Sequence, residues 1–101
     1  MREQLEKLLA AGRDNPLLRF GLGNACLKDG DNAAALTHLE QATRQNPAHS
    51  AAWKLLGKAL QALGRADDAE AAWNKGLEVA VQQGDIQSSR EMTVFLKRLR
   101  R

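Results

Sequence analysis

Small residues recur along this chain at a spacing of 34, and that recurrence limits the fold more than any other feature. Setting residues 16–49 over 50–83 places Leu22 on Leu56, Gly23 on Gly57, Ala25 on Ala59, Gly30 on Gly64 and Ala35 on Ala69. So alanine- and leucine-rich a chain would give about three such matches by chance, so placement carries the argument rather than number. Gly30 and Gly64 stand where helices must stop. Gly23 and Gly57 stand where two helices would press together. A fixed period of this length is the mark of stacked helical units, each too small to bury its own apolar face.

Six helical segments fit the spacing of apolar residues. The first covers about 2–11, with Leu5, Leu8 and Leu9 on one face and Gly12 as a left-handed stop. Asn15 caps the second, about 16–29, and Pro16 suits its first turn. The third, about 32–45, ends ahead of Pro47 because the residue before proline disfavours the helical region. Ser50 is expected to cap the fourth, about 51–63; the fifth covers about 66–82; Asp85 caps the sixth, about 86–99. Linkers this short favour antiparallel neighbours. Nothing alternates with the period of a strand. At 101 residues the chain forms one all-α domain, and a hydrophobic fraction of 44% argues against disorder.

The stretch from Trp53 through Leu55, Leu56, Gly57 and Leu60, followed by Ala69 and Trp73, resembles the tetratricopeptide repeat pattern of W-x2-L-G-x2-Y and A-x3-F. Leu60 stands for the usual Tyr and Trp73 for the usual Phe. The unit before it reads Leu22, Gly23, Ala25, Gly30, Ala35, Leu39, Ala42 and Pro47, with Arg19 at the Trp place and Cys26 at the Tyr place. The resemblance implies antiparallel helix pairs stacked as a short right-handed superhelix. Residues 16–49 and 50–83 would be two repeats, 1–15 a degraded leading helix and 84–101 a basic cap. The last helix fits the pattern after a slip of five residues, which puts Leu96 at the packing glycine's place.

Little in the chain points to chemistry. Cys26 is alone, so an internal disulfide is impossible, and it falls on an apolar helix face. His38 and His49 have no ligand or base partner at useful spacing and read as surface residues. Asp67, Asp68 and Glu70 sit in a first turn, where they complement the helix dipole. Gly21-x-Gly23 lies inside a helix and is too short for a phosphate cradle. No enzyme, metal or cofactor is expected. No segment has the unbroken apolar length of a membrane span, and a cytoplasmic, reduced setting is expected.

What remains is a surface. The net charge of +3 belongs to the last 18 residues: residues 1–83 hold ten basic and ten acidic side chains, while 84–101 hold five basic against two acidic. In the repeat family the first helix of each pair lines a concave wall that receives a peptide or a partner helix. The resemblance puts Leu17, Phe20, Asn24 and Leu27 on that wall in the first repeat, and Ala51, Lys54, Lys58 and Gln61 in the second. The cap would add Arg90, Thr93, Lys97 and Arg100. The wall is therefore expected to be apolar at one end and basic at the other, suited to an acidic or mixed acidic–apolar protein segment. Only fragments of the family's carboxylate clamp are present: Asn24 and Arg90 fit, and Phe20 replaces a lysine. Two alternatives remain open. One is nucleic-acid binding through the basic last helix; the other is weak self-association through Leu17 and Phe20.

Overall fold

The computed structural model describes residues 1–100; Arg101, one of the five basic residues of the last segment, lies outside them. Six helices follow one another: α1 (Arg2–Ala10), α2 (Pro16–Lys28), α3 (Asn32–Gln45), α4 (Ser50–Ala62), α5 (Ala66–Gln83) and α6 (Ile86–Leu99). Their ends are set by local chemistry. Asn15 accepts from the Leu18 amide and Asp31 from the Ala34 amide, while Asp85 accepts from the Ser88 amide. The left-handed turns fall on Gly12, Gly30, Gly64 and Gly84, the glycines that end the first, second, fourth and fifth helical segments. One expected cap is corrected. Ser50 is the first residue of α4, His49 holds the cap position without a side-chain bond, and the Ser50 hydroxyl instead donates to Asp85 at 2.6 Å.

The helices form two layers. Each helix packs on its neighbours in the chain, and α4 also touches α2 and α6. No such contact joins α3 to α1 or α5, so the layer of α2, α4 and α6 is the tighter one and the array bends toward it. The core lies between the layers and is built of Leu22, Cys26, Ala35, Leu39, Ala59, Ala69, Trp73 and Met92.

Two glycines set the crossings. A β-carbon on Gly23 would strike the Leu39 side chain, and one on Gly57 would strike the Trp73 indole. The large residue of each second helix thus lies directly on the glycine of the first. Ala35 and Ala69 are buried one turn earlier. Gly76, 34 residues after the Ala42 of the preceding unit, makes a third close seat. A β-carbon there would lie 2.6 Å from the Met92 sulfur.

The register of α6 also differs from expectation. α4 begins 34 residues after α2, and α6 begins 36 after α4. The slip is therefore two residues, not five. Ser88, Met92 and Leu96 are buried in the manner of Ala52, Leu56 and Leu60. Thr93, not Leu96, then takes the packing glycine's place. The cause is α5, which at 18 residues exceeds the 14 of α3 while its linker to the next helix is shorter.

Candidate functional site

The inner layer can be followed from α2 to α6. On α2, Leu17 is 72% exposed, the largest apolar exposure on this layer. Phe20 is half-buried, and its ring meets that of His49 at 4.5 Å between centroids. Leu27 is half-buried at the edge of the core. Asn24 stands apart from these three, in a cleft of about 660 Å³ between α1 and α2 that Gly21, Ala25 and Leu5 also line.

On α4 the two lysines are already engaged. The Lys54 ammonium lies 3.3 Å from Glu91 of α6, with its side chain 17% exposed. Lys58 sits over the ring of Phe95 at 5.2 Å, within the range of a cation–π contact. Ala51 is half-buried and Gln61 exposed. On α6, Arg90 and Lys97 are exposed, and Thr93 bonds back to the Ser89 carbonyl. Arg100 reaches Glu70 on α5 at 3.6 Å, away from the inner wall. The structure thus pairs Lys54 with α6, sets the exposed Lys58 over a ring of α6, and leaves Arg90 and Lys97 exposed.

How the acidic groups lie among these cations was not visible in the residue pattern. Asp85 caps α6 and accepts from Ser50, and these hydrogen bonds hold its pKa down at about 2. Lys54 adds a smaller electrostatic pull. Glu91 comes to Lys54 only because α6 lies alongside α4. At the other end, Arg19 fills the Trp place by bonding Asp14 at 2.8 Å and the ring nitrogen of His38 at 3.2 Å. The Arg19 and Gln45 hydrogen bonds push the Asp14 pKa far below the carboxylate range. His38 and His49 are half-buried rather than surface residues, and burial lowers both pKa values. Arg19 lowers that of His38 further. Cys26 is fully buried, and desolvation raises its pKa, which disfavours the thiolate. Among the described residues no three His, Cys, Asp or Glu side chains gather as metal ligands would.

Two layers of paired helices, glycine seats under large residues and a bent inner wall together make a helical repeat array. Two family models described as Tetratricopeptide repeat match the sequence, one over residues 26–91 and one over residues 2–36. This chain belongs to the tetratricopeptide repeat family. It is 54% identical, over all of its length and 96% of the relative's, to the TPR repeat-containing protein PA0015 of Pseudomonas aeruginosa. Its fold is similar to the solution structure of protein BPP2914 from Bordetella parapertussis, with a TM-score of 0.84 and 46% identity. That likeness covers 98% of this chain and 86% of the other. A tetratricopeptide repeat domain protein from Salinibacter ruber, solved by crystallography, has a TM-score of 0.80 and 26% identity, over 86% of this chain and 97% of the other. The family is one of protein-interaction scaffolds. Among the described residues no helix is long and apolar enough to cross a membrane.

Proposed function

We propose that this tetratricopeptide chain binds an extended protein segment along α2, α4 and α6, with apolar side chains at the α2 end and carboxylates at the α6 end. The observation that carries the reading is the arrangement of open groups. Leu17 stands exposed beside the half-buried Phe20 at one end, and Arg90 and Lys97 stand exposed at the other. An apolar anchor would supply affinity and the cations would set orientation and encounter rate. Lys54 and Lys58 are given a different part from the one their type suggests. They hold α6 against α4, so that the wall is rigid before a partner arrives. The nucleic-acid alternative is less well served, because Phe20, Trp53, Trp73 and Phe95 are all partly or wholly buried and leave no open platform for a base to stack on.

Fluorescence anisotropy with two labelled peptides tests this, one carrying leucine and phenylalanine followed by glutamates, the other with lysines in place of the glutamates. The acidic peptide should bind more tightly, and less so as salt rises. The double variant Arg90→Glu/Lys97→Glu should weaken it about tenfold, equivalent to about 1.4 kcal/mol. Leu17→Ser should weaken both peptides. Equal binding of the two peptides, or an affinity unmoved by the double variant, would remove the wall from the account.

A further inference from the structure

The two ends of the array are complementary. In the inner layer, α4 touches α6 through Lys54 on Glu91 and Lys58 on Phe95. With α6 set 36 residues after α4 and α4 set 34 after α2, the places of Glu91 and Phe95 are held on α2 by Gly21 and Ala25. These two residues therefore stand where another inner helix would press from the α1 side. The cleft of about 660 Å³ lies there, floored by Gly21, Ala25 and Leu5. Helix α1 buries no residue; it is an outer helix with no inner helix paired to it among the described residues. At the opposite end the reverse holds. Helix α6 is an inner helix with no outer helix after it among those residues. In the same register it turns Arg90 and Val94 outward where α4 turns Lys54 and Lys58 toward α6. Val94 is 42% exposed.

We infer that copies of this chain associate head to tail, with α6 of one copy seated in the α1–α2 cleft of the next. Val94 then rests on Ala25 as Lys58 rests on Phe95. Two small residues, Gly21 and Ala25, give the incoming helix room to approach closely. At the cleft rim Arg2 already pairs with Glu6 and Asp29, and the exposed Glu3, with Lys28 also on the rim, is the carboxylate left to meet an incoming cation. Helix α6 carries Arg90, Lys97 and Arg98, while its one acid, Glu91, is held by Lys54. Such a contact joins different faces of the two copies, so it propagates rather than closing as a symmetric pair. The area is small, and the association is correspondingly weak and concentration-dependent.

Sedimentation equilibrium over a concentration series, at low and high salt, reads this directly. The wild type should rise from the chain mass to beyond twice that mass, and salt should reduce the rise. Ala25→Arg blocks the cleft and Val94→Glu blocks α6, and each variant alone should stay at the chain mass. An equimolar mixture of the two should reach twice the chain mass and stop, because each pair retains one intact cleft and one intact α6. Glu3→Lys, at an exposed position, is a second block that spares the fold and should weaken association severalfold. Circular dichroism confirms that each variant is folded. A wild type that stays monomeric throughout would overturn the inference. So would a mixture of the two variants that behaves as each does alone, or a wild type that stops at twice the chain mass, as a closed symmetric pair would.

Discussion

The helix pairs α2–α3 and α4–α5 cross in the same way but with different tolerance. In residues 16–49 the crossing puts Leu39 on Gly23; in 50–83 it puts Trp73 on Gly57. Leu39 is fully buried with its Cγ and both methyls against Gly23, but packing alone holds it there. Trp73 is not free to move: its Nε1–H donates to the Lys54 carbonyl at 3.0 Å, and its ring lies 5.2 Å from that of Phe95. The junctions that follow differ as well. The first pair hands on to α4 through His49, which makes no side-chain cap and packs at a tilt against Phe20. The second hands on to α6 through Asp85, which caps the helix and also takes the Ser50 hydroxyl. One period of sequence therefore yields one crossing held by packing alone and one pinned by a hydrogen bond as well.

The strongest way to break the comparison is to fill both crossings. An added methyl gains up to about 1 kcal/mol of helix propensity at either glycine. Overpacking opposes it by about 1–3 kcal/mol, more where the neighbour cannot yield. Gly57→Ala should therefore be the costlier change, with a net loss of about 2 kcal/mol in urea denaturation. Gly23→Ala should lose about 1 kcal/mol or less. Equal losses would mean that the Trp73 tether does not stiffen its pair.

Next in size is the junction of the pinned pair. Asp85→Ala removes a cap and leaves the buried Ser50 hydroxyl without its acceptor, and should cost about 1–2 kcal/mol. Amide exchange should rise first in α6. His49→Ala has no cap bond to lose and should leave exchange at the start of α4 less affected.

The smallest effect separates the junctions by pH. Burial depresses the pKa of His38 and His49, so the folded state resists their protonation. Their contribution is full above the ordinary histidine value of about 6.5 and is lost as pH falls through their lower folded values. Asp85 is also depressed, but from about 3.9, so its contribution is lost only as pH falls from there toward about 2. Mild acid should thus loosen the first pair while the second holds. Exchange-protected amides of α2 and α3 should open by pH 5 with those of α5 and α6 unchanged. His38→Gln/His49→Gln should flatten that step.

What the sequence determined alone is what short-range chemistry controls. Asn15 and Asp85 cap because their carbonyl or carboxylate oxygens sit next to free helix amides. Gly12, Gly30, Gly64 and Gly84 turn left-handed because only glycine does so without strain. The seats of Gly23 and Gly57 were legible because a spacing of 34 presents each of them twice in the same surroundings. What only the tertiary structure decided joins residues far apart in the chain. The apolar spacing of α6 fits more than one register, and the long α5 with its short linker decides the one that seats Met92 on Gly76. Lys54 looks like an open groove cation until α6 brings Glu91 beside it, and Arg100 until α5 brings Glu70. Local propensity acts over one helical turn. The partner of a charged side chain depends on how whole helices lie against one another, and no single stretch of residues contains that information.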